Sequence, residues 1–153
     1  MDNKEKIIKH LRSMGFIPCD LGEIGYAITY NSIDFIYMPD EDDHFLRFSV
    51  PNVYEVTETN KHHVLSVVNE INTFIKYIKI MVVNNENVWI TYEHYLVKEE
   101  NIDELLEHIV NLLYATLTIF YRKINGEDID LNKNVDEEDI EKELCEILDE
   151  NQP

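Results

Sequence analysis

The sequence predicts an α+β fold: an antiparallel five-stranded sheet packed with helices in the order α-βββ-α-ββ-α, followed by a C-terminal acidic amphipathic helix. Three observations predict it. From Lys61 the apolar residues Val64, Val67, Val68, Ile71, Phe74 and Ile75 recur every three or four positions, the period of a helix. After Tyr77 the period drops to two, and Ile78, Ile80 and Val82 are followed across Asn84-Asn85-Glu86-Asn87 by Val88-Trp89-Ile90-Thr91-Tyr92. β-Branched and aromatic residues dominate both runs, and asparagine tolerates positive φ, so the pair reads as a hairpin. Three more extended runs, residues 24–30, 33–38 and 45–50, precede that helix and are separated by turn chemistry at Asn31-Ser32 and Pro39-Asp40-Glu41-Asp42-Asp43.

Each element follows in order. Residues 2–14 carry Ile7, Ile8, Leu11 and Met14 on one helical face, and Gly15 stands where glycine ends a helix. Residues 16–21 can begin a strand, but Pro18 confines it to an edge. The three runs form a consecutive meander. In the first, Tyr26, Ile28 and Tyr30 share a face; in the third, Leu46, Phe48 and Val50 share the face that points to the core. Pro51-Asn52 closes the meander, and Thr57 is the expected N-cap of the next helix. After the hairpin, Asn101 with Glu104 makes a capping-box-like start to a helix running to about Lys123. Its main stripe is Ile102, Leu105, Leu106, Ile109, Leu113, Leu117 and Phe120, and Val110, Leu112, Tyr114 and Ile119 widen it beyond what one sheet face requires. A helix apolar on more than one side is buried on more than one side, against the C-terminal segment or a second copy of the chain.

Asn125-Gly126 breaks that helix, giving a domain over residues 1–124 and an acidic extension over 125–153. Residues 127–150 hold twelve acidic and two basic side chains, a net of −10 that leaves −8 for the rest of the chain. Within them Ile140, Leu144, Ile147 and Leu148 fall at helical spacing, a short amphipathic helix that docks on its own domain or on a partner.

At 153 residues the chain can bury one hydrophobic core, and its 44% apolar content is that of a globular protein. A formal charge of −18 repels phosphate backbones and anionic lipid, which argues against nucleic acid and membrane as partners. Cys19 and Cys145 form no metal or redox spacing, residues 1–12 are charged throughout, and no apolar run is long enough to span a bilayer; the expectation is a cytoplasmic protein.

The order of elements, with Val68-Asn69-Glu70-Ile71-Asn72 late in a helix before a strand-turn-strand and a terminal helix, resembles the YbjN-type family. That resemblance covers about residues 1–124 and implies the type III secretion chaperone-like fold. It further implies a small acidic bacterial protein, often dimeric, with a protein-binding or regulatory role and no known chemistry. The acidic segment after Gly126 is not part of the pattern. On physical grounds Asn69 and Asn72 lie on one helix face, where their amides can bond backbone at the entry to Tyr77-Ile78.

Few other constellations carry chemistry. Asp128, Asp130, Asn132, Asn134, Asp136 and Asp139 alternate like the oxygen ligands of a calcium loop, with Val135 at the eighth position. Lys133 stands where that loop needs glycine, and Asp139 replaces the longer closing glutamate, so a solvated acidic linker is the reading favoured. His62, His63, His94 and His108 have no ligand spacing, and the strand tyrosines Tyr26, Tyr30 and Tyr37 read as packing. With no phosphate loop, catalytic set or cofactor motif, the expectation is a non-enzymatic protein-binding module without a cofactor. It would be chaperone-like or regulatory, acting as a homodimer on an unidentified protein or peptide. Its contact surface would comprise Val110, Leu112, Tyr114, Ile119, Ile140, Leu144, Ile147 and Leu148. The alternative is a small-molecule or metal-responsive sensor using the sheet face or the acidic tail.

Overall fold

The computed structural model describes residues 2–131. Helix α1 (Asn3–Ser13) opens on an Asp2 N-cap whose carboxylate accepts from the Glu5 N–H at 2.8 Å. It closes at Gly15, where φ is +96° and the Phe16 N–H reaches back to the Leu11 carbonyl. Strand β1 is only Cys19–Asp20, and a 3₁₀ turn at Gly22–Ile24 leads to β2 (Tyr26–Tyr30). Next come β3 (Ile33–Tyr37), β4 (Phe45–Glu55), α2 (Lys61–Phe74), β5 (Ile78–Val83), β6 (Asn87–Tyr95) and α3 (Ile102–Ile124).

The sheet is antiparallel with strand order β1-β2-β3-β4-β6-β5, so it has six strands rather than the expected five. The addition is β1, which sits at the edge where Pro18 can do no harm to a ladder. Both short hairpins turn on two consecutive residues at positive φ: Asn31 and Ser32, at 49° and 66°, form the whole β2–β3 loop, and Asn84 and Asn85, at 54° and 57°, are followed by Glu86 in the β5–β6 loop. Such turns match the right-handed strand twist. Strand β4 does not stop at Pro51. Its pairing with β6 shifts register between Val50 and Tyr54, and Asn52 (φ 51°) lies in this bulge. Helix α2 starts at Lys61 with Asn60 as N-cap, not Thr57; Thr57 and Asn60 instead exchange side-chain-to-backbone hydrogen bonds at 2.8 and 3.2 Å.

Alternation sorts the strands as expected. Ile28, Phe35, Tyr37, Leu46, Phe48, Val50, Ile78, Ile80, Val88, Ile90 and Tyr92 form one core with Ile7 and Leu11 of α1, Val64 and Ile71 of α2, and the stripe of α3. All three helices therefore cover one face of the sheet, with α3 over β4 and β6, α2 against β5, and α1 against α3. On the opposite face the register aligns Ala27, Ile36, Ser49 and Thr91 in one row across four strands. Ser49 and Thr91 are 1% exposed and share a 2.9 Å hydroxyl hydrogen bond, so even this face is closely packed at its centre.

Candidate protein-binding surfaces

Helix α3 is the centre of the helical layer. Asn101 caps it by accepting from the Glu104 N–H at 3.2 Å and donating to the Glu104 carboxylate at 3.3 Å, while Asp103 and Glu104 suit the positive end of the dipole. At 100° per residue the ridge opposite the sheet-facing stripe carries Glu104, Glu107, His108, Asn111, Ala115, Ile119 and Arg122, while Thr118 beside it is 1% exposed. Its first turns are charged and exposed. Beyond His108 the helix has no charged side chain until Arg122, not even on this outer ridge. Asn111, Ala115 and Ile119 are half-buried there, and Leu112 is half-buried at the margin of the ridge. A ridge of that kind is built to be covered by protein.

Of the residues expected on this surface, Leu112 and Ile119 are half-buried, whereas Val110 and Tyr114 are 4% and 2% exposed and belong to the chain's own core. The physical reason is that α1 and α2 flank α3, so residues beside the sheet-facing stripe meet a neighbouring helix. Tyr114 packs edge-on against Tyr30, which packs edge-on against Phe16. Ile140, Leu144, Ile147 and Leu148 lie outside the described residues.

Two polar contacts join α2 to α3. Lys123 is 9% exposed, and its Nζ donates to Glu70 Oε1 at 2.6 Å. His63 Nε2 lies 2.9 Å from the Ile124 carbonyl, which can only accept, so that nitrogen carries the hydrogen. Beyond α3, Gly126 (φ +85°) and Glu127 return hydrogen bonds to the Lys123 and Arg122 carbonyls, and Arg122 pairs with Glu127 at 2.6 Å. The chain turns back, and residues 128–131 line a cavity of about 370 Å³ with Glu70 and Phe74 of α2.

Asn72 occupies the open edge of β5. Its side chain accepts from the Ile80 N–H at 2.9 Å and donates to the Ile80 carbonyl at 3.0 Å. Asn69 is exposed; its carbonyl accepts from Thr73 Oγ1, and its side chain makes no hydrogen bond among the described residues.

The titratable groups form structural pairs. His94 Nε2 meets Glu100 Oε1 at 2.6 Å, while Glu100 Oε2 accepts from the Val97 N–H, tying down the connector into α3. His94 and His108 both pack on the Tyr92 ring, at 6.2 and 6.1 Å, a proximity the sequence did not reveal. His62 and His63 are exposed on α2. No group of three His, Cys, Asp or Glu among the described residues is placed to hold a metal ion. Asp128 and Asp130 of the candidate calcium loop are exposed, and Asn132, Asn134, Asp136 and Asp139 lie outside the described residues. Cys19 is an exposed free thiol on β1. Burial raises the phenol pKa of Tyr37, Tyr92 and Tyr121, with Asp43 and Asp2 adding to the rise at Tyr37. A cavity of about 550 Å³ lies where Lys4, Ile8, Lys9 and Arg12 of α1 face Pro18, Asp20 and Tyr26. None of the described helices is long and apolar enough to cross a membrane.

No family model matches the sequence, and no curated protein matches it. Among solved structures the fold is similar to the crystal structure of YbjN, a candidate transcription regulator from E. coli. The TM-score is 0.59 and the identity 9%, over 76% of this chain and 87% of that one. The fold is YbjN-like. At so low an identity, the likeness carries fold and nothing finer.

The outer ridge of α3 was partly legible in advance, because an uncharged run from 109 to 121 is visible in the sequence. Asn111 and Ala115 were missed as members of it, and counting at helical spacing from Ile119 would have found them. The pairing of Glu70 with Lys123 left no local signal.

Proposed function

We propose that this chain is a non-enzymatic protein-binding module of regulatory or chaperone-like kind, which self-associates as a homodimer, with the outer ridge of α3 as its contact surface. The observation that carries the reading is the uncharged stretch of that ridge, from Asn111 through Ala115 to Ile119, on a chain whose formal charge is −18. On so charged a chain, an outward helix side without charge from Asn111 to Ile119 reads as a surface to be covered. The YbjN-like fold, solved for a candidate regulator, is compatible with that role.

Sedimentation of the full chain over a concentration series tests it. The expected result is a monomer–dimer equilibrium that Ile119→Asp shifts to monomer by about tenfold or more in dissociation constant, since the substitution buries a carboxylate in the contact. A wild-type chain that stays monomeric at every concentration, with a variant indistinguishable from it, overturns the proposal.

A further inference from the structure

We infer that the groove between α1 and the β1–β2 edge of the sheet binds an extended acidic peptide of a partner protein, with the pattern acidic-x-apolar-x-acidic. This groove is a second surface, separate from the ridge of α3. His10, on the opposite flank of α1, is the residue that meets Asp103 of α3, at 2.7 Å.

Charge marks the groove first. Lys4, Lys6, Lys9 and Arg12 gather on one short helix of a chain that has 13 basic residues against 31 acidic ones. Lys4, Lys9 and Arg12 line the groove and are exposed, and none of them makes an ion pair among the described residues. The Lys4 ammonium lies 5.5 Å from the centre of the Tyr26 ring, which holds it over the groove. Where carboxylates are in such excess, cations left unpaired along one groove make a positive strip on a negative molecule, and that strip complements an anionic partner. Glu5 and Asp20 line the groove as well, and the Asp20 carboxylate already accepts from the Gly22 N–H at 2.8 Å. Their charge repels an anion from the rest of the groove and so favours the positions opposite Lys4 and Arg12.

Spacing then selects the partner. Ile7 and Leu11, both 0% exposed, fix α1 to the core, and Lys4, Ile8 and Arg12 follow one another four residues apart along the ridge that lines the groove. Such neighbours are about 6 Å apart along a helix axis. Alternate side chains of an extended peptide, which point the same way, recur about every 6.6 Å. Two carboxylates placed two residues either side of an apolar side chain therefore meet Lys4 and Arg12. The apolar side chain between them meets Ile8, Pro18 and Tyr26, all half-buried. A nucleic-acid strand would set a further phosphate against Ile8, and the formal charge of −18 opposes a long polyanion. A cavity of about 550 Å³ is within the size that holds a small ligand or a few residues of peptide.

The probe is a fluorescein-labelled, C-terminally amidated peptide, Gly-Glu-Ser-Leu-Ser-Glu-Gly, titrated with the full chain at low ionic strength and followed by anisotropy. Saturable binding is expected, about fivefold or more tighter than for the same peptide with glutamine at both glutamate positions. Added salt should weaken it. The variant Lys4→Gln with Arg12→Gln should keep its native dichroism, since both side chains are exposed, and should bind the two peptides alike. Methyl chemical-shift changes on binding should centre on Ile8. Absence of saturable binding, equal affinity of the two peptides for the wild-type chain, or shifts that leave Ile8 unmoved overturns the inference. Tighter binding of a single-stranded oligothymidylate to the same groove also overturns it, in favour of phosphate recognition. Sedimentation decides the α3 ridge without any peptide present, so the failure of one surface is told apart from the failure of the other.

Discussion

At Asn72 one side chain does the work of a missing strand. Strand β5 ends the sheet, and an unpaired edge invites pairing with another chain. By bonding both the N–H and the carbonyl of Ile80, the amide closes that edge midway along β5. Asn72→Ala should therefore destabilise the fold by about 1–2 kcal/mol, since water can replace only part of two hydrogen bonds. Asn72→Asp should cost nearly as much, because a carboxylate keeps the acceptor for the N–H but turns an oxygen on the carbonyl. Urea denaturation checks both, and unchanged midpoints would reduce the contact to decoration. Gly25 is a sharper case. Its φ is +135°, and an added Cβ would stand 2.1 Å from the Tyr37 carbonyl oxygen. Gly25→Ala should cost about 3 kcal/mol or more, or prevent folding, read as the fraction of soluble, cooperatively unfolding protein. The asparagine's role was partly legible in the sequence, which placed it beside the hairpin entry. The glycine's was not, because the backbone that crowds it is that of Tyr37 and Met38 at the end of β3, brought beside it only by the β2–β3 hairpin.

Between elements, the α2–α3 contact combines apolar packing with one nearly buried cation. The Lys123 ammonium is held by Glu70, whose own side chain is 44% exposed. Removing the carboxylate leaves a charge with little water around it, whereas removing both charges leaves a greasy contact. Glu70→Gln should cost about 1–3 kcal/mol, with the exposure of Glu70 holding the figure below that of a fully buried pair. The double variant Glu70→Leu with Lys123→Met should recover most of the loss. Thermal unfolding of the three chains decides it, and equal stabilities would show that the pair is solvated well enough to be dispensable. This contact also marks where sequence reading stops. The glycine stops, both asparagine-bearing hairpin turns and most of the helix stripes are written in local period and φ preference, though Phe74 at the end of the α2 stripe is 49% exposed and Ile75 is that helix's C-cap. Strand β1 was not counted because two residues after a proline have no period to detect. Strand β4 runs on past Pro51 because β6 supplies its partners there, Val88 for Tyr54 and Asn87 for Glu55, with a bulge absorbing the misfit. Val110 and Tyr114 looked like surplus surface for the same reason: their neighbours are chosen by topology. The outer ridge of α3 could be read in part, since missing charge is a local property.

Across the whole molecule, alkaline pH should act on burial and net charge together. Tyr37, Tyr92 and Tyr121 each have a phenol pKa raised above the usual value of about 10, in every case chiefly because burial disfavours the phenolate. Asp43 and Asp2 oppose a further negative charge at Tyr37, Tyr77 and Glu100 do so at Tyr92, and the Tyr121 hydroxyl donates to the Val53 carbonyl at 2.9 Å. A group whose pKa is higher folded than unfolded keeps its proton longer in the native state. Its stabilising effect is complete below the unfolded value of about 10 and is lost as pH rises through the folded values. The loss falls on a chain already at −18, where each new phenolate adds to self-repulsion. Among the nine tyrosines, phenolate absorbance should accordingly show Tyr37, Tyr92 and Tyr121 ionising only as the far-ultraviolet dichroism collapses. Tyr121→Phe keeps the ring, removes the titrating hydroxyl and should move the alkaline midpoint upward, at the cost of leaving the Val53 carbonyl unpaired near neutral pH. If all nine titrate together while the dichroism stays native, the three phenols are open to water and the core between β4 and α3 is looser than their burial requires.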